Sequence, residues 1–164
     1  MPYSTDIVTV METLGNAVYN MINDEISTDG ILSDVETLIT SYQRDNLEEP
    51  LIWIHELETK PYKAEAISDK MLLRTPFEFI CVVYDDDTEI AEKKGKNLAS
   101  RVVASILRNY RRRVADDLTF TKVELNTFYP VGELPVDNKQ DVVPVTGVQI
   151  DFVYQVDWLH CIRE

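Results

Sequence analysis

LLRTPFEFICVVYDDDTEIAEKKGKNLASRVVASILRNYRRRV, residues Leu72 to Val114, is the stretch on which the fold turns. In its first part Phe77, Phe79, Cys81 and Val83 share one face of an extended chain, and Ile80, Val82 and Tyr84 share the other. Apolar side chains on both faces predict a central strand from Leu72 to Tyr84, covered on each side. After Asp85-Asp86-Asp87 the period changes. From Thr88 to Val114, Leu98, Val102, Val103, Ile106, Leu107, Tyr110 and Val114 fall on one side of a helix. Lys93, Lys94, Arg101, Arg108, Arg111 and Arg112 fall on the other. Acids at its start and Arg111-Arg112-Arg113 at its end complement the helix dipole.

Downstream, a strand is predicted from Leu118 to Tyr129. A loop follows from Pro130 to Thr146, in which Pro130, Pro135 and Pro144 are expected to stop the ladder from extending. Its apolar residues Val131, Leu134, Val136, Val142 and Val143 are hard to explain in a solvated loop. They suggest a segment that is mobile in the free subunit and orders against a neighbouring subunit or another partner; the alternative is a flexible loop with no partner. The last strand, Val148 to Trp158, alternates apolar with polar residues, as a strand with one buried and one wet face does.

Upstream, a helix is predicted from Thr5 to Glu25, capped by Ser4 or Thr5. Its stripe of Ile7, Val10, Met11, Leu14, Val18, Met21 and Ile22 serves either the core or a Met-bearing partner groove. Ser33-Asp34-Val35-Glu36 has the form of a capping box, and Val35, Leu38, Ile39 and Tyr42 extend it into a short second helix ending near Asp45. Pro50 opens a strand through His55, and a weak strand or an irregular stretch is expected over Ala64 to Ser68. The expectation is one α+β domain over 1–164: a helical part over 1–45, then a sheet over 50–158. That sheet is mainly antiparallel, with the long helix 88–114 and the N-terminal helix packed on it.

Composition narrows the function. The chain has 164 residues, 45% of them hydrophobic and 27% charged, which are globular values. No apolar run approaches the roughly 20 residues of a membrane span. The N-terminus has neither the basic flank nor the apolar core of a signal peptide. Two cysteines, Cys81 and Cys161, are too few for a disulfide framework, so a reduced compartment is the default. The net charge of −13 repels phosphate backbones and argues against nucleic-acid binding as the main activity. Its distribution is uneven. The first sixty residues hold twelve acids and two bases, whereas Thr88 to Arg113 holds eight bases and two acids.

The catalytic inventory is thin. His55 and His160 lie in no nucleophile or zinc-site spacing, and the adjacent pair His160-Cys161 would point to opposite sides of a strand. No glycine-rich phosphate loop is present. Asp85-Asp86-Asp87 either caps the long helix or holds Mg²⁺ for phosphoryl chemistry. Cys81 reads as a buried thiol. The basic helical face binds an anionic ligand, meets an acidic surface, or is simply solvated. If it meets an acidic surface, the nearest is another copy of the chain, with Arg101, Arg108, Arg111 and Arg112 at the contact.

Taken together, an N-terminal amphipathic helix and the Pro-led strand Pro50 to His55 precede a long strand ending in a turn, Phe77 to Asp87. A single long helix follows, Thr88 to Arg113, and then a long-looped hairpin, Leu118 to Trp158. This order resembles the tail terminator proteins of long-tailed bacteriophages and the related tail-completion and head–tail joining proteins. The resemblance implies a hexameric ring in the neck of a virion, assembled in the host cytoplasm. Its partners would be the chain itself, the major tail tube protein and a head-connector or stopper protein. It implies no catalytic residues, cofactor or metal. The alternative is a small acidic α+β binding or regulatory domain, such as an inhibitor that mimics nucleic acid.

Overall fold

The structure, a computed structural model, describes residues 7–27, 29–41, 48–64, 70–111, 118–135 and 142–157. Along the chain run α1 (Ile7–Asn23), β1 (Thr37–Ile39), β2 (Leu51–Glu56), β3 (Lys60–Pro61), β4 (Lys70–Val82), α2 (Thr88–Asn109), β5 (Leu118–Pro135) and β6 (Val142–Asp157). The sheet order is β1-β2-β4-β6-β5, with β3 also on β4. Among the described residues only β1 pairs in parallel, with β2, and every other pairing is antiparallel. The α+β expectation holds.

β4 is the central strand that its two apolar faces predict. On one face Phe77, Phe79 and Cys81 join Ile52 and Ile54 of β2 and Ile150 and Phe152 of β6. Leu14, Val18 and Ile22 of α1 and Leu98, Val102 and Ile106 of α2 complete this main core. Both helices therefore cover the same face. On the other face Ile80 and Val82 pack with Leu51 and Val145, flanked by Ile39 and Trp53. Tyr154 is fully buried in the main core, and its hydroxyl is satisfied by Thr75 at 2.8 Å. α2 approaches β6 closely at Gly95: a Cβ there would lie 2.9 Å from Thr146 Oγ1.

The structure differs from the sequence reading in four places. The predicted second helix is absent; residues 31–34 form a turn, and Thr37–Ile39 is strand β1. A capping box needs the Glu36 N–H for the Ser33 hydroxyl, but that N–H donates to the Pro50 carbonyl at 2.9 Å. Val35, Thr37, Ile39 and Thr40 are β-branched and favour the extended alternative. Residues 42–45 lie outside the described residues.

The loop predicted from Pro130 to Thr146 is largely ladder. Pairing continues through Gly132↔Val145, Glu133↔Pro144 and Leu134↔Val143 to Pro135↔Val142, so Val131, Leu134, Val142 and Val143 belong to strands. Val136 lies outside the described residues. A register shift falls between Pro130 and Gly132. β5 is an edge strand, and β6 loses its β4 neighbour beyond Val145. Such positions tolerate prolines, because an N–H pointing to the free side belongs to no ladder.

Leu107 is not a core residue. It is 56% exposed, since the buried arc of α2 centred on Val102 and Ile106 is narrower than the apolar stripe. The wet face of β6 is partly dry: Val153 is fully buried, and Asp151 is buried beside Arg74 and Asn126. The Ser4 and Thr5 cap, Val114, Trp158 and the span 65–68 lie outside the described residues, while Tyr62–Ala64 forms a 3-10 turn.

Candidate assembly surface

The basic face of α2 lies against acids of its own chain. Arg101 donates from Nη1 and Nη2 to the two carboxylate oxygens of Asp34, from Nη1 to the Ile31 carbonyl at 3.1 Å, and from Nε to Asn97 at 2.9 Å. This fork holds the Asp34 carboxyl below its ordinary range. Lys94 pairs with Asp85 at 2.7 Å and Lys93 with Glu89 at 2.8 Å.

A second knot ties α2 to the end of α1. Glu25 is buried, and its carboxylate accepts from Asn109 Nδ2 at 3.0 Å and from the Ile31 N–H at 3.2 Å, with Arg108 Nε 3.7 Å away. Gly30 closes this turn, because a Cβ there would lie 2.0 Å from the Glu25 carbonyl oxygen. Glu25 reads in the sequence only as the end of a helix. Its role depends on Asn109, which no local pattern connects to it.

The four arginines expected at a contact therefore separate. Arg101 is held by its own chain. Arg108 is 63% exposed and, among the described residues, makes only the long contact to Glu25. Arg111 is exposed and stacks on the neighbouring Tyr110 ring, its guanidinium carbon 5.6 Å from the centroid. Arg112 lies outside the described residues. With exposed Leu107, Arg108 and Arg111 form a basic and apolar knob at the end of α2.

The aspartate run before α2 is used locally. Asp87 is the N-cap and accepts from the N–H groups of Glu89 and Ile90. Asp85 accepts from the Asp87 N–H at 3.0 Å and pairs with Lys94, and these bonds hold its carboxyl low. Asp86 accepts from the Tyr84 hydroxyl. Among the described residues no three His, Cys, Asp or Glu side chains converge as a metal site. His55 is exposed and stacks on Trp53 at 5.5 Å. Cys81 is buried, and burial pushes its thiol up to about 12. His160 and Cys161 lie outside the described residues.

Two further features surface only in three dimensions. The first is the arm formed by residues 130–135 of β5 and 142–145 of β6, whose far part, among the described residues, pairs with itself alone beyond the last β4–β6 pair, Val82↔Val145. The second is a cleft of about 830 Å³ between α1 and the β1–β2 edge. Its floor is Leu38, Ile54 and Phe77, and Glu12 and Glu56 stand on its rim. Gly15 of α1 faces Glu56, whose Oε2 would be an ordinary 3.8 Å from a Cβ at that position. Partial desolvation pushes the Glu56 carboxyl up.

Among the described residues no helix is long and apolar enough to cross a membrane. In comparison with known proteins, the chain matches no family model and no curated protein.

Proposed function

We propose that this chain is a structural virion protein, forming a ring at the head-proximal end of a phage tail tube. In this reading it ends tube polymerisation and offers a surface for head–tail joining, with no catalytic, cofactor or metal chemistry of its own. Its partners are further copies of itself, the tube protein below and the connector or stopper above.

The observation that carries the reading is the β5–β6 hairpin, which reaches beyond the sheet that β4 anchors. A two-stranded arm whose edges pair with no other strand among the described residues leaves backbone donors and acceptors for a neighbour, and an isolated hairpin is only marginally stable without one. The order α1, β2, β4, α2 and long hairpin supports the same resemblance.

Electron microscopy of tails assembled with and without the protein tests the reading. Overlong tubes in its absence are the expected result. Tubes of normal length that fail to join heads would move the protein to a joining role. Tails unaffected in length and joining would overturn the proposal.

A further inference from the structure

We infer that the cleft between α1 and the β1–β2 edge receives the basic end of α2 from a second copy of the chain. The inference rests on the ring reading above and supplies the contact that such a ring needs.

The acids that border the cleft are among those that α2 does not neutralise. Asp34, Asp85, Glu89 and Glu25 each have a basic neighbour from α2 within 4 Å. Glu12 and Glu56 have none among the described residues, although they border a cleft with room for several side chains. Its apolar floor with an anionic rim suits a long side chain with an apolar stem and a cationic head. Arginine has that form, and its planar guanidinium pairs well with carboxylates.

The chain carries such a group elsewhere. Arg111 contacts its own Tyr110 ring, Arg108 is mostly exposed, and Leu107 beside them supplies apolar surface. They cannot reach the far rim of the cleft in the same subunit. Asn109 anchors the end of α2 to Glu25, and Glu12 lies roughly 20 Å back along α1 at the helical rise per residue. The contact is therefore between copies. Knob and cleft are different patches of one surface, so the contact is heterologous, and it closes into a ring when the rotation permits.

The test is a charge exchange on the full-length chain, read by sedimentation velocity over rising concentration at low salt. One variant carries Glu12→Arg and Glu56→Arg; the other carries Arg108→Glu and Arg111→Glu. Each alone is expected to associate at least about tenfold more weakly than the natural chain, because like charges then meet. An equimolar mixture is expected to assemble with the two alternating, since each knob then finds a cleft of opposite charge. Glu12→Gln with Glu56→Gln is the mild control and is expected to weaken assembly with an unchanged circular dichroism spectrum. If the natural chain assembles and the variants do so equally well, or the mixture stays apart, the cleft assignment falls while the ring reading stands. A natural chain that remains monomeric throughout also overturns the cleft assignment, while the ring reading is decided by the microscopy of tails.

Discussion

Arg101 grips Asp34 across 67 positions of sequence, with two guanidinium nitrogens on two carboxylate oxygens. The pair fastens the middle of α2 to the turn that the sequence reads as a helix start. Because the guanidinium favours the charged carboxylate, Asp34 sits below its ordinary range. A lowered carboxyl contributes stability that is complete above the unfolded value and is lost as the pH falls through the folded one.

Asp34→Asn is therefore expected to destabilise the fold at pH 7. The aspartate is about half exposed, so the loss is held to about 1 kcal/mol or less. Urea unfolding across pH provides the check. The gap between natural chain and variant should narrow from about pH 4 downward. A gap that persists unchanged in acid would mean the side chain acts through shape rather than charge.

The glycines of the two helices are expected to respond in opposite directions. At Gly15 a Cβ meets only Glu56 Oε2, at an ordinary 3.8 Å, so Gly15→Ala should stabilise by about 0.5–1 kcal/mol through helix propensity. At Gly95 the Cβ would press on Thr146 Oγ1 at 2.9 Å, and Thr146 is a stiff, buried β-branched residue. Crowding of about 1–3 kcal/mol outweighs the propensity gain there, so Gly95→Ala should destabilise. In a Thr146→Ala background the same change should become neutral or favourable. Thermal unfolding of the four chains of that cycle measures the coupling, and additivity would remove the close approach as the cause.

Cys81 is expected to resist alkylation in the folded protein. Burial raises its thiol to about 12, leaving very little thiolate at pH 8, and its position in β4 offers no route for reagent. Labelling of the peptide containing Cys81, followed by mass spectrometry against urea, should share its midpoint with loss of circular dichroism. Labelling well before that midpoint would show that β4 opens locally.

What the sequence makes legible is what its local period encodes. The β4 run with both faces apolar, the amphipathic α2 and the α1 stripe are each set by residues close in sequence, and the structure keeps the first two and, of the stripe, Leu14, Val18, Met21 and Ile22. β1 was hidden because three residues become a strand only when Leu51–Trp53 lie alongside them. The hairpin arm was hidden because Pro130, Pro135 and Pro144 break strands in general, though not where a strand edge is free. The arginine face was legible, but its acids were not. Asp34 and Glu25 meet α2 only after the chain has folded back, and the cleft needs α1 and β2 together.

Glu56 links stability to the cleft. Partial desolvation raises its carboxyl, so the folded state favours the neutral form, and the ionised form carries a penalty at neutral pH. For a raised carboxyl that penalty is full above the folded value and absent below the unfolded one, near 4.5. Glu56→Gln should therefore make the isolated subunit slightly more stable at pH 7. The gain is a few tenths of a kcal/mol, since the residue is exposed, and it should vanish below about pH 4.5. The same variant should assemble less well, because the cleft has lost a carboxylate that a partner arginine would neutralise. Urea melts and sedimentation on one preparation separate the two effects. A Gln variant less stable than the natural subunit at pH 7 would mean that Glu56 already makes a stabilising contact within its own chain, and the cleft would not be waiting for a cation from outside.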